Sequence, residues 1–392
     1  MNKFIILFFL TQCFLFSIGQ NFHQVDSLIK KKQFLSAWLL VSSKESKTNK
    51  EQINLKKIDL CLKYFTTSIS HQAFTFTNLK PGENIIQKRN SAETESTPTI
   101  SFKIDEIIDS LIKENPKKFN LYKLKGDYYY DIFILFGKNW IINKQEVLRR
   151  MYTAYIKADK NGVNDYLSLY ALGYFHNLNS ESKKAIEYFN RSLALDSNHA
   201  PTHYNLAYLY TEIDSIELAL RHAWIAYKKY NFINYKNDAG QMTGSILGKL
   251  GRHDEAISVL LDCDRLIPSS YNTYKYLLSS FLHLNKTREA LITAENMFSL
   301  DWKSHAINTN IIEIFIKTNH SDELFNFYRK KLAEEDYDME FRGHTQLHLA
   351  QAYSLINDKN QMSRYVSDAK ESFLICYDNN HPIFGVLEKM LR

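Results

Sequence analysis

From about residue 115 onward, apolar stripes of helical period alternate with short polar breaks, and the alternation itself recurs. Alanines that open an apolar stripe stand at Ala185, Ala219, Ala256 and Ala290, spaced 34, 37 and 34 residues apart. Leu324 follows after another 34 and Met362 after 38. One unit reads in full from Tyr166 to Asn198. A first stripe runs Tyr166-Leu-Ser-Leu-Tyr-Ala-Leu-Gly173-Tyr-Phe-His, and a polar turn spans Asn177 to Ser182. A second stripe then carries Ala185, Phe189 and Ser192 before Asp196-Ser-Asn198 stops it with turn-favouring residues. Helices approach closely only where side chains are small, so Gly173 and Ala185 are expected to set the crossing within the pair. Phe189, one turn after Ala185, fills the core on the same face. A period near 34 with two helical stripes per unit predicts an all-α, right-handed solenoid of about seven stacked helix–turn–helix pairs.

These residues resemble the tetratricopeptide repeat. That family's pattern has large residues at positions four and seven, a small one at eight and an aromatic at eleven. It continues with Ala at twenty, an aromatic at twenty-four, Ala at twenty-seven and Pro at thirty-two. Units are read from Phe119, Tyr166, Ala200, Asn237, Tyr271, His305 and Gly343. The eighth position then holds Gly126, Gly173, Ala207, Gly244 and Ala350, and the eleventh holds Tyr129, Tyr210, Phe281, Phe315 and Tyr353. Pro268 falls at its place, and Pro116 ends an earlier helix. Leu278 and Ile312 depart at position eight, and Leu324 and Met362 at position twenty. The first full unit also carries an apolar insert around Ile132–Ile142 that must bury itself. The resemblance spans roughly Asn115 to Cys376; it implies the fold and a protein-binding role and leaves the ligand unnamed.

The flanks are less regular. Residues 1–20, with Lys3 ahead of the apolar Phe4–Ile18 and small Ser17 and Gly19, read as a secretory signal peptide, or alternatively as a retained anchor. That predicts an exported protein of bacterial type, periplasmic or cell-surface. Residues 21–115 form a divergent N-terminal helical region. Val25–Ser43 and Gln52–Ile69 have helical patterns, and a polar insert at about 74–103 interrupts a helical pair. Ala73–Thr77 alternates and suits a short strand or an extended segment, and Asn90–Thr99 reads as a polar loop. The repeat array covers 116–378, and 379–392 supplies a capping helix opened by Pro382.

Composition narrows the choice. The chain has 392 residues, 45% hydrophobic and 23% charged, so it folds; 12 Gly and 6 Pro are too few for a turn-rich all-β protein. The formal charge of +6 is spread along the sequence, and no nucleic-acid partner is expected. Once the leader is removed, Cys61, Cys263 and Cys376 remain; they read as small buried residues, with one fortuitous pair as the alternative. No later segment is apolar enough to span a membrane.

The resemblance puts partner binding on the concave wall built by the first helices. Its groove residues would be Lys123, Asp127, Tyr170, Tyr174, Tyr204, Tyr208, Gln241 and Lys275. The four tyrosines form an aromatic ladder for a partner, or else pack between neighbouring helices. Lys123 and Lys275 occupy places used by the family members that grip a C-terminal carboxylate, but the partnering Asn residues are missing. His199/His203 and His344/His348 have the i, i+4 spacing of a metal pair without a third ligand, and read as surface or packing residues. Asp127 and Asp131 read as solvated carboxylates. Glu334-Glu335-Asp336 reads as a turn. No phosphate loop, nucleophile elbow or Cys–His pair appears, so no catalytic, cofactor or metal residues are assigned. The expectation is a non-enzymatic scaffold holding a protein or peptide segment; the alternative is an exported glycan- or peptidoglycan-binding module.

Overall fold

The computed structural model describes residues 22–44, 50–90, 99–137, 141–334 and 338–391. The leader, residues 91–98 of the polar insert, Trp140 of the apolar insert, and Glu335 and Asp336 lie outside the described residues. The chain divides into two compact units, Met1–Ser197 and Asn198–Arg392. Each has its own apolar core. None of the described helices is long and apolar enough to cross a membrane.

The first unit opens with α1 (His23–Lys30), α2 (Phe34–Ser43) and α3 (Lys50–Lys63). The single helical stretch expected over Val25–Ser43 is two helices, because Lys32 takes a left-handed φ of 57°. The helix expected over Gln52–Ile69 ends at Lys63, and Thr67–Ile69 becomes β1 instead. β-Branched Thr66, Thr67 and Ile69 suit a pleated strand better than a helix end. β1 pairs antiparallel with β2 (Ala73–Thr75), setting Thr67 opposite Thr75, and β2 pairs with β3 (Ile100–Ser101). Ser70 and His71, both at positive φ, make the turn between β1 and β2. Buried Phe74 and Phe76 hold this small sheet on the helices: Phe76 stacks on Trp38 of α2 at 5.0 Å, and Phe74 meets Phe65 and His71. Residues 73–75 of the alternating segment are thus a strand and 76–77 run on outside it, while β1 and β3 go beyond the expectation. Short α4 (Ile85–Asn90) and then α5 (Ile104–Glu114) complete the region.

Seven helix pairs follow among the described residues. The first unit holds α6 (Phe119–Leu135) with α7 (Lys144–Asp159) and α8 (Tyr166–Leu178) with α9 (Ser182–Leu195). The apolar insert adds length to α6, and Ile132 is fully buried while Phe136 and Ile142 pack on the same core. The second unit holds α10 (Ala200–Glu212) with α11 (Ile216–Lys229), α12 (Ile233–Lys249) with α13 (His253–Leu266), and α14 (Tyr271–His283) with α15 (Thr287–Leu300). It ends with α16 (His305–Lys317) and α17 (Ser321–Glu334), α18 (Met339–Leu355) and α19 (Lys359–Cys376), and the lone α20 (Pro382–Leu391). α20 packs Phe384 and Leu387 onto the core and begins with the expected proline. Helices α12 and α18 start one turn ahead of the units read from Asn237 and Gly343.

The residues at the twentieth position are buried in six of the seven units: Ala185, Ala219, Ala256, Ala290 and Leu324 are fully enclosed and Met362 nearly so. The eighth-position glycines each receive a large side chain of the second helix: a Cβ on Gly126 would sit 2.3 Å from the Tyr155 ring, one on Gly173 2.7 Å from Phe189, and one on Gly244 2.6 Å from Leu260. Real Cβ atoms do not approach that closely, so the crossing is set by glycine against bulk. Of the cysteines, Cys61 and Cys263 are buried as expected. Cys376 is exposed: it continues the buried stripe of Val366, Ala369 and Phe373 but is the last residue of α19.

Candidate functional site

In the first unit, Lys123 and Asp127 lie one turn apart on α6 and face each other. Lys123 Nζ is 3.0 Å from Asp127 Oδ2 and 2.7 Å from Asp165 Oδ2. Asp165 is the N-cap of α8, where it accepts a hydrogen bond from the Ser168 amide, and Tyr155 of α7 donates to Asp127 Oδ1 at 2.9 Å. Burial pushes the Asp127 carboxyl up, and the Lys123 ammonium beside it pulls it back. This carboxylate is therefore not the solvated one expected. It belongs to a tie between α6, α7 and α8. Asp131 instead faces the buried imidazole of His71, 3.9 Å away. Tyr170 stacks on Tyr174 at 6.2 Å between ring centres and leans on Phe189, while Tyr174 meets Phe133 of α6. Both rings are half-buried, and burial raises the Tyr174 phenol.

The second unit brings three of the other expected positions, Tyr204, Tyr208 and Gln241, into one cleft of about 260 Å³. Its walls are α10, giving Tyr204, Tyr208 and Thr211; α12, giving Asp238, Gln241 and Ser245; and α14, giving Asn272. Tyr208 is 48% exposed where it lines the cleft. Tyr204 is more enclosed and rests edge-on against Tyr230; burial raises its phenol. Gln241 is nearly buried, and its amide donates to Ser270 Oγ at 2.9 Å and Thr273 Oγ1 at 3.0 Å. That pins it to the N-terminus of α14, since Ser270 is that helix's N-cap. Asp238 is exposed, yet partial burial of its carboxyl raises its pKa. Lys275 does not line the cleft. It lies over the rings of Tyr271 and Tyr276 at 5.8 and 5.0 Å.

Met242, Ile246 and Lys249 of α12 and Tyr276 of α14 also line the cleft and were not anticipated. The signal for them was present. On α12 the lining residues 238, 241, 242, 245 and 249 follow the i, i+3, i+4, i+7, i+11 stripe of one helix face. Asp238 and Lys249 sit at opposite ends of that stripe, about 16 Å apart along the axis. The cleft therefore offers a carboxylate at one end, an ammonium at the other, and aromatic and thioether surface between them.

The histidine pairs are packing residues. His203 Nδ1 lies 2.8 Å from His222 Nδ1, and His348 Nε2 lies 3.1 Å from the Trp302 carbonyl oxygen. Burial, with His203 and Arg221 nearby, lowers His222 to about 4; burial likewise lowers His348 to about 4. Among the described residues, no three His, Cys, Asp or Glu side chains are gathered closely enough to hold a metal ion.

A family model described as tetratricopeptide repeat matches residues 166–199 and 241–270. The first match spans the α8–α9 pair and the second most of α12–α13. No curated protein matches the chain. Among solved structures, a tetratricopeptide repeat protein from Parabacteroides merdae is similar at 13% identity, with 73% of this chain and 98% of that one covered and a TM-score of 0.43. The C-terminal part of a TPR repeat-containing protein from Cytophaga hutchinsonii is similar at 11% identity, covering 73% and 93%, with a TM-score of 0.41. YrrB, a TPR protein with an unusual peptide-binding site, is similar at 16% identity, covering 50% and 98%, with a TM-score of 0.39. The matched segments coincide with helix pairs whose small residues are enclosed, so the chain is an all-α array in which two helix pairs match the tetratricopeptide repeat.

Proposed function

We propose that the protein is a non-enzymatic scaffold and that the cleft on α10, α12 and α14 receives an extended segment of a partner protein. The presence of tetratricopeptide repeats supports a protein-interaction role in general. The finer reading rests on one observation: Tyr204, Tyr208 and Tyr276 converge on a single cleft whose two ends carry Asp238 and Lys249. Tyrosines supply rigid apolar surface with a polar tip at low entropic cost. At about 3.3 Å per residue, the span between the two charges matches roughly five residues of extended chain. The preferred segment carries a cation toward Asp238, an acid toward Lys249 and an apolar or aromatic residue between. Lys123, Asp127, Tyr170 and Tyr174 are spent on one another and on neighbouring helices, which favours the second unit as the binding surface.

Selection of short random peptides displayed on phage tests this. The selected sequences should share that charge order, and Tyr204→Ala with Tyr208→Ala should lower their affinity by about 2 kcal/mol or more. Selected peptides with no common pattern, or undiminished binding by the double variant, would contradict the proposal. Oligosaccharide binding that is lost in the same variant would favour the glycan-binding alternative.

The pattern of residues 1–20 further supports a proposal of export to a periplasm or cell surface. The intact mass of protein isolated from its host would reveal the cut; a mass that includes residues 1–20 in a soluble cytosolic fraction would refute it.

A further inference from the structure

A second concavity, of about 730 Å³, lies wholly in the first unit between α5 and α7, with α6 beneath. It belongs to neither the tyrosine cleft nor the Lys123–Asp127 tie. Its apolar lining comes from Ile112, Tyr122, Ala154 and Ile156. Its remaining lining is mostly cationic. Lys125 pairs with Asp109, and Arg149 and Arg150 share the single carboxylate of Glu146 at 2.6 and 2.7 Å. Lys157 and Lys160 are exposed and, among the described residues, pair with no carboxylate. Lys157 Nζ instead lies 5.9 Å from the centre of the Phe119 ring. Five cations thus face two carboxylates, a local excess of three positive charges in a chain whose total is +6.

We propose that this groove docks an acidic peptide segment that carries interspersed large apolar side chains. Charge complementarity selects the acid: the unpaired ammonium groups of Lys157 and Lys160 and the surplus guanidinium beside Glu146 each gain by meeting a carboxylate. The apolar lining selects the second feature. A purely ionic partner would leave Ile112, Tyr122 and Ile156 against water, whereas Leu or Phe side chains between the acids would cover them. A single-stranded nucleic acid fits less well, because the lining offers one aromatic ring for stacking and its other apolar residues are aliphatic.

The test is fluorescence anisotropy on the full chain. The probe is a short fluorescein-labelled peptide of aspartates interspersed with Leu and Phe. Three controls accompany it: Lys in place of every Asp, Ser in place of every Leu and Phe, and a single-stranded oligonucleotide of matched charge. The probe should bind, and binding should weaken as salt is raised, since exposed charges are screened within about 10 Å at 0.1 M. K157E/K160E alters only exposed side chains and should keep the helical circular dichroism. It should weaken the acidic probe about tenfold or more and now accept the Lys counterpart. Y204A/Y208A should bind the acidic probe as the unaltered protein does, which separates this groove from the cleft. Equal binding by K157E/K160E, equal binding of the Ser control, or preference for the oligonucleotide would each overturn the proposal.

Discussion

Adding one methyl group at Gly173 would force it into the Phe189 ring, and the same geometry recurs at Gly126 against Tyr155 and at Gly244 against Leu260. Gly173→Ala is expected to destabilise by about 1–3 kcal/mol through overpacking, reduced by the ~1 kcal/mol that alanine gains over glycine within a helix. A lowered thermal midpoint checks this, and adding Phe189→Leu should recover part of the loss, since the two positions share one contact. Gly248→Ala, whose new Cβ would meet nothing closer than 3.9 Å, should raise the midpoint instead. The buried histidines set a second expectation. His222 and His348 have folded values of about 4 against an ordinary 6.5, so between those pH values the unfolded chain binds protons that the folded chain refuses. Stability should therefore fall as the pH is lowered from 6.5 to about 4, and His222→Gln with His348→Gln should flatten that slope. A midpoint unchanged across the window would refute the assignment. At this scale the sequence revealed which positions are small and enclosed, because their spacing is regular. It did not reveal that Asp127 would be tied to Lys123 and Tyr155, because Tyr155 and Asp165 come from other helices and partner choice depends on packing.

The turn inside six of the seven pairs has one design. A single residue adopts left-handed backbone, Ser180, Asp214, Gly251, Asn285, Asn319 or Asn357, with φ between 54° and 73°. The next residue's amide then donates back to a carbonyl five positions earlier, as in Glu181 to His176 and Lys286 to Phe281. In every case the left-handed residue stands five positions before the twentieth-position residue, so the turn chemistry carries the same period as the alanines. Asn, Asp and Gly tolerate this conformation, whereas Ser180 bears a steric cost. Ser180→Gly should stabilise by up to about 1 kcal/mol and Ser180→Val should destabilise by more than that, read as shifts in the denaturation midpoint at constant slope. The opposite order would show that the turn is not held as described. Helix existence and pairing were legible because a 34-residue period averages over local ambiguity. The break at Lys32, the strand at Thr67–Ile69 and the two-residue β3 were not, because each is short and held by contacts distant in sequence, such as Trp38 on Phe76.

The molecule comprises two compact units, each with a continuous apolar core, and α20 closes the core of the second with Phe384 and Leu387. A repeat array needs such an end because every pair buries its stripe on a neighbour, and the proline-led helix at 382 was readable for that reason. The spread of charge in the sequence concealed the basic groove, whose cations come from α6 and α7 and meet only in the folded unit. The tyrosines of the expected ladder divide between the units: Tyr170 and Tyr174 pack in the first, and Tyr204 and Tyr208 line the cleft of the second. The central claim is that the first-helix face of the second unit binds a partner segment. Site-specific photo-crosslinking in the native host addresses it most directly, with benzoylphenylalanine replacing Ser245 inside the cleft or exposed Leu261 on α13. The account predicts one discrete adduct from position 245, absent at 261 and lost in the Y204A/Y208A background; the same adducts from both positions, or none at 245, would contradict it.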